Sequence, residues 1–167
     1  METLDVFSLM AAPGAYTEYS GKLMLYGQFV GGWDIDATWY EQGGEVRKGK
    51  GQWVFDWILG GRGIQDVLFA VGAPPHHYGT TLRCYNPALD VWHVTWMQPY
   101  GGGFVHLIGR KVRDHIVQEG VGIDPNRRKR WSFKDITSHS FLRLGEMSLD
   151  NGVTWYLEQE MQASRRK

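Results

Sequence analysis

The sequence predicts an all-β domain, an antiparallel up-and-down closed β-barrel of about ten strands with a short N-terminal helix. Three observations carry this prediction. Apolar and polar residues alternate with period two through most of the chain after residue 31, the pattern of strands with one buried face. The alternating segments are joined by short breaks rich in turn residues: Gly43-Gly44, Gly60-Gly61, Asn86-Pro87, Gly101-Gly102-Gly103, Arg113-Asp114 and Asn151-Gly152. Such turns connect antiparallel neighbours. Little helical pattern intervenes, and an open sheet of so many strands would leave two long edges that closure removes. A barrel of this size usually encloses a cavity.

The chain of 167 residues reads as one domain, with 1–17 a flexible N-terminal segment, 18–30 a short helix and 31–163 the barrel. Gly31-Gly32-Trp33 ends the helical pattern. Trp33, Ile35, Ala37 and Trp39 then alternate with Asp34, Asp36, Thr38 and Tyr40. In the next strand, 46–59, Trp53, Phe55, Trp57 and Leu59 share one face, while Lys48, Lys50, Gln52 and Asp56 share the other. Further strands are expected at 63–71, 79–86, 91–98, 104–112, 115–121, 128–136, 140–148 and 153–163. Between the last two, Ser148, Asp150, Gly152, Thr154 and Trp155 match the spacing of the Asp-box hairpin known from sialidases. A single copy predicts a hairpin turn, in which the polar side chains satisfy backbone groups and Gly supplies positive φ. It gives no support to glycosidase activity.

Composition excludes several classes of function. Hydrophobic residues are 43% and aromatic residues 14% of the chain, which excludes an intrinsically disordered protein. Eighteen basic and eighteen acidic residues cancel, so no overall field favours nucleic acid or a membrane surface, and neither is expected as a partner. The run Arg127-Arg128-Lys129-Arg130 before Trp131 and Phe133 reads as a solvated loop and strand edge. The single cysteine, Cys84, excludes an internal disulfide and a cysteine-based metal site and fits a reducing, cytoplasmic setting. The N-terminus lacks the pattern of a secretory signal, and no stretch reaches the roughly 18 apolar residues of a membrane span. His76-His77 falls in an expected loop without metal-ligand spacing. No dinucleotide, phosphate-loop or Ser-His-Asp signature is present. No metal or cofactor is expected, and the assembly expected is a monomer or homodimer.

The helix leading into Gly31-Gly32-Trp33 and the antiparallel meander after it resemble the calycin superfamily, which includes lipocalins, fatty-acid-binding proteins and nitrobindins. More closely, Trp57-Ile58-Leu59-Gly60-Gly61-Arg62, Gln65-Asp66, Tyr85-Asn86-Pro87, Trp92, Trp96 and Gly109-Arg110 resemble a bacterial lipocalin-like family of largely unknown function. The resemblance covers about residues 22–163, and its motifs are short and mainly structural. It implies a closed barrel with a ligand cavity and leaves the ligand open. Nitrobindins place a haem-ligating histidine near the C-terminus, whereas this chain has no histidine after His139, so haem is not expected.

Turn geometry fixes strand register, which decides which side chains share a face. A four-residue loop at 87–90 pairs Tyr85 with Trp92, Arg83 with Val94 and Thr81 with Trp96. A turn centred on Gly101 then pairs Trp96 with His106 and Gln98 with Phe104, and a turn at Arg113-Asp114 pairs Ile108 with Glu119. Thr81, Arg83, Tyr85, Trp96, Gln98, His106 and Glu119 thereby share one face, either the cavity wall or the solvent side. Trp39, Trp57, Trp96 and Trp131 are expected to line the upper cavity, and Trp33, Trp53 and Trp155 to close its base. Gln65, on the parity of Val67 and Phe69, would add an orienting amide. The expected function is binding of a small apolar or aromatic molecule, with Arg83, Tyr85, Gln98 and His106 orienting it. The alternative is a cofactor-independent isomerase, cyclase or hydratase acting on a polyketide- or terpenoid-like substrate. There His106 or Glu119 would serve as base while Arg83 or Tyr85 stabilises negative charge. A third possibility is a scaffold with a filled interior.

Overall fold

In a computed structural model, which describes residues 4–122 and 124–167, ten antiparallel strands close into a barrel in which each strand pairs with its neighbours in sequence. They are β1 Gly31–Tyr40, β2 Val46–Ile58, β3 Gly63–Ala70, β4 Gly79–Asn86, β5 Val91–Gln98, β6 Gly103–Val112, β7 His115–Gly122, β8 Arg128–Lys134, β9 Ser140–Ser148 and β10 Tyr156–Arg165. β1 meets β10 from Trp33 opposite Arg165 to Trp39 opposite Gln159, which removes both sheet edges. The expected fold class and strand order are those observed.

Differences from expectation sit at element ends. Residues 4–17, expected to be a flexible lead, are docked on the barrel. They contain helix α1 (Val6–Met10), capped by the Asp5 carboxylate, which accepts from the backbone N–H of Phe7 and Ser8 at 3.0 Å each. Beyond it, Ala12 N donates to Trp57 O at 3.0 Å and Tyr16 N to Gly61 O at 3.2 Å. The expected 18–30 helix shortens to α2, Ser20–Gly27. β8 stops two residues early, before Asp135, which has a left-handed φ of 49°. β10 starts three residues late because Asp150 holds the turn: its carboxylate accepts from Val153 N at 3.1 Å and from Thr154 N at 2.8 Å. Ser148 Oγ accepts from Gly152 N at 2.7 Å, and Trp155 Nε1 donates to Gly152 O at 3.1 Å.

Helix α2 plugs the end of the barrel where β1 begins and β2 ends. Leu23, Tyr26 and Gly27 are its buried residues. Gly27 is required by close approach, since a Cβ there would lie 2.5 Å from the Trp57 ring. Tyr26 meets Trp92 edge-on at a centroid distance of 4.8 Å. Just past the helix, Phe29 packs on Phe133 at 5.0 Å and Phe141 at 4.8 Å. Trp33, fully buried, donates its indole N–H to Phe29 O at 2.7 Å. This aromatic floor fills one end of the barrel, and each ring contributes about 1.5–3 kcal/mol by leaving water.

Arg165, at the end of β10, locks the floor to the closing seam. Its guanidinium lies 4.1 Å over the Trp33 ring and donates to Val30 O and Gln28 O at 2.8 Å and to Ser138 O at 2.7 Å. The Gln28 and Val30 carbonyls follow α2 and have no helical donor of their own, and Ser138 O lies in the connection between β8 and β9. The side chain of neighbouring Arg166 makes an exposed pair with Asp34 at 3.4 Å. In urea denaturation, Arg165→Ala is expected to cost on the order of 2 kcal/mol, and Arg166→Ala less than about 0.5 kcal/mol. Equal effects would show that the seam does not depend on these carbonyl contacts.

The Asp150 turn has a pH signature. Hydrogen bonds from the Thr154 side chain and backbone, then from Ser148, hold the Asp150 carboxyl down at about 2. A depressed folded-state value means that the ionised carboxylate favours the turn at all pH above the ordinary carboxylate range. That contribution fades as pH falls through about 2. Protection of the Thr154 amide in hydrogen exchange should therefore persist to pH 3 and collapse only near pH 2, whereas Asp150→Asn should lose this pH dependence.

Candidate functional site

Inward-facing residues of seven strands surround a chamber of about 220 Å³ on the barrel axis. Trp53 (β2), Leu68 (β3), Thr81 and Arg83 (β4), Trp96 (β5), Trp131 and Phe133 (β8), Arg143 (β9), and Gln159 and Met161 (β10) form its wall. A vestibule of about 410 Å³ lies toward the end opposite α2, and Leu68, Trp96, Gln159 and Met161 line both spaces as a collar. Trp39, Gln98, Arg47 and Tyr100 line the vestibule further out. Its rim is tied down by His77 stacked on Tyr100 at 3.5 Å and by Gln98 Nε2 donating to His77 O at 3.1 Å. The vestibule alone falls within the about 300–1,000 Å³ of small-molecule pockets.

The chamber is polar on one side. Arg83 and Asp66, each 1% exposed, form an ion pair through Arg83 Nη1 and Asp66 Oδ2. The other Asp66 oxygen accepts from Thr81 N at 3.1 Å. Gln118 Oε1 accepts from Tyr26 Oη at 3.0 Å and from Arg83 Nε at 3.4 Å. Burial raises the Tyr26 phenol above its ordinary value, so it remains a donor. The Arg83 guanidinium lies 5.3–6.0 Å from the rings of Tyr26, Phe55, Trp53 and Phe133. Higher in the chamber, Arg143 is 5% exposed, lies 4.4 Å over the Trp131 ring and donates to Gln159 Oε1. Burial, then Arg83, pushes its guanidinium down to about 9, which leaves it protonated at neutral pH.

The register places the expected site residues in three groups. β4 and β5 pair as expected, Tyr85 with Trp92, Arg83 with Val94 and Thr81 with Trp96. Arg83, Trp96 and Trp131 line the chamber, and Trp39 and Gln98 the vestibule. Trp57 and Tyr85 have inward parity but lie at the helix-plugged end. There Trp57 packs on Gly27, and Tyr85 packs on Tyr19 and donates to Asp90 Oδ1 at 2.8 Å. His106, Glu119 and Gln65 face outward, against expectation. The turn after β5 holds four residues, 99–102, with Gly102 left-handed, so Gln98 pairs with Gly103 and Trp96 with Val105. That one-residue shift turns His106 to the outer face. There its Nδ1 lies 3.2 Å from Thr95 Oγ1, and its ring stacks on His93. Ile108 does pair with Glu119, so Glu119 follows His106 outward and sits 3.8 Å from Arg130. Gln65 bonds Thr80 Oγ1 on the outside at 3.0 Å. Of the three tryptophans expected at the base, Trp33 is in the floor, Trp53 lines the chamber, and Trp155 lies outside under Arg130 at 4.0 Å.

Sequence reasoning missed Arg143 and Gln159 in the chamber wall, and Asp66 and Gln118 among the buried groups that hold Arg83. The signal was parity: Asp66 shares the face of Ile64 and Leu68, and Arg143 that of Phe141 and Met147. Among the described residues no histidine and no carboxylate lines the chamber, and the buried Asp66 carboxylate is engaged by Arg83. The basic run is partnered: Arg127 with Asp124 at 3.5 Å, Arg128 with Asn151 at 3.5 Å, Lys129 with Glu158 at 2.7 Å and Arg130 with Glu146 at 2.9 Å. Among the described residues no helix is long and apolar enough to cross a membrane.

A closed ten-strand meander plugged at one end by a helix has the architecture of a lipocalin-like barrel. The fold is similar to the crystal structure of Rv2717c from M. tuberculosis, with a TM-score of 0.60 and 14% identity over 94% of this chain and 99% of that one. It is also similar to the S-type phycobiliprotein lyase CpeS from Guillardia theta, with a TM-score of 0.57 and 6% identity over 86% of this chain and 91% of that one. At such identities the likeness is one of fold. No family model and no curated protein matches the chain.

Breaking the Arg83–Asp66 pair from one side leaves an uncompensated buried charge. Asp66→Asn is expected to lower stability by about 3–5 kcal/mol, and the double variant Asp66→Leu/Arg83→Met by markedly less. Chemical denaturation of both variants measures the difference; equal losses would mean that the pair matters through shape alone.

Proposed function

We propose that the protein binds a small apolar or aromatic molecule inside the barrel. The observation that carries this reading is a pair of adjoining spaces inside the barrel. A tryptophan-walled chamber and a vestibule share four lining residues, while the opposite end is filled by α2. Flat faces on Trp53, Trp96 and Trp131 suit a planar or rigid apolar body. Gln98 at the vestibule and Arg83 below would orient its polar atoms. A reducing, cytoplasmic setting fits the single thiol, Cys84, which burial raises above its ordinary value.

Native mass spectrometry of the purified protein, followed by tryptophan-quenching titrations with fatty acids, flavonoids, terpenoids and polyketide mimics, tests this reading. A saturable ligand is expected. Trp96→Ala should weaken it by up to about tenfold through lost stacking and area, while Trp155→Ala, on the outside, should leave its Kd unchanged. Uniform silence across the panel would favour a filled barrel.

A further inference from the structure

The chamber holds one more positive charge than its own residues neutralise. Arg83 has Asp66. Lys129, which has inward parity nearer the open end, has Glu158 at 2.7 Å. Arg143 has no carboxylate within 4.0 Å among the described residues, although it is 5% exposed; its partners are a neutral amide, Gln159, and the face of Trp131. A charge taken from water without a counterion is costly. The site is shaped to accept that cost, since a Cβ on Gly145 would stand 2.9 Å from Arg143 Nη1.

Among the described residues, the Trp53 indole N–H in the chamber wall has no acceptor, nor does the buried Gln118 side-chain amide N–H, on the residue that accepts from Arg83. Buried donors without acceptors are rare in folded proteins. One acceptor-only group would serve the guanidinium: a carboxylate takes two parallel N–H bonds from arginine and supplies the missing negative charge.

We propose that the ligand is an organic carboxylate, with its anionic head on Arg143 beside Gln159 and its aromatic or apolar body against Trp96 and Trp131. This rests on the binding reading above and names the chemical class that the site selects.

The test uses a matched pair of probes, 1-naphthaleneacetic acid and 1-naphthaleneacetamide, titrated at neutral pH by tryptophan quenching, with neutral N-phenyl-1-naphthylamine as a third probe. The wild-type protein is expected to bind the acid about tenfold or more tighter than the amide, the size of a charge-assisted hydrogen bond. Arg143→Gln should bring that ratio to within about twofold of unity, and Arg143→Lys should keep part of the preference. Equal wild-type affinities, or a preference that survives Arg143→Gln, overturn the proposal. So does a lowered Tm in Arg143→Gln with an unchanged acid-to-amide ratio, which would make Arg143 a structural residue. If Arg143→Gln does not fold, the wild-type ratio and Arg143→Lys decide. Binding of the neutral amine alone refutes the carboxylate and leaves the binding reading standing; silence with all three probes refutes both.

Discussion

Arg83 carries a full positive charge to the axis of the barrel, and the groups that accommodate it connect the parts of the fold that are distant in sequence. Asp66 on β3 supplies the counter-charge, Gln118 on β7 accepts from the guanidinium Nε, and Tyr26 on α2 donates to the same amide oxygen. One side chain thus links β3, β4 and β7 to the plug helix. The four aromatic rings around the guanidinium belong to α2, β2 and β8, so the charge and the aromatic floor stand together. A hydrophobic replacement of the pair can be as stable as the pair. What the pair adds is direction: it fixes the orientation of the Gln118 amide and leaves its N–H groups, rather than its oxygen, without a partner.

Several of the 22 glycines make room for large rings inside a narrow barrel. A Cβ at Gly79 would fall on the Trp96 ring, one at Gly49 would lie 3.1 Å from the Trp39 ring, and one at Gly109 would fall on the Tyr26 hydroxyl. Each large side chain is set against a position with none. The tryptophans that wall the two spaces therefore have fixed seats, and an interior of interlocking large and small residues keeps its shape when a ligand is absent. Space on the barrel axis is then a property of the sequence, reached by pairing bulk with its absence across strands.

Strand positions were legible because alternation and turn residues report directly on backbone geometry. The face of each strand was legible only where loop length was unambiguous. Residues 87–90 gave the right pairing for β4 and β5. The turn after Gln98 contains Gly101, Gly102 and Gly103 in succession, any of which accepts a left-handed conformation, so one residue of register was undetermined and His106 and Glu119 changed sides. Trp57 and Tyr85 illustrate a different limit: parity says inward but not how far along the axis, and α2 occupies their end. Arg143 and Asp66 were passed over because a charged residue within a strand is ordinarily read as its exposed side. In an alternating pattern, a charge among buried neighbours is better read as an interior group that needs a partner.

That rule separates the two interior arginines. Arg83 is satisfied within the chain and costs the empty protein little. Arg143 is not, and burial with a second guanidinium nearby depresses its proton affinity. A stack on Trp131 and one amide oxygen offset only part of this, and an apolar side chain on β9 would pack the same space without any charge to neutralise. Natural sequences keep such locally unfavourable groups where function requires them. The outer wall shows the contrast: Arg130 has a bidentate bond to Glu146, Glu119 close by and Trp155 beneath it. Two carboxylates stand by an arginine on the surface, and among the described residues none lies within 4.0 Å of Arg143, which leaves the interior charge open to a partner from outside the chain.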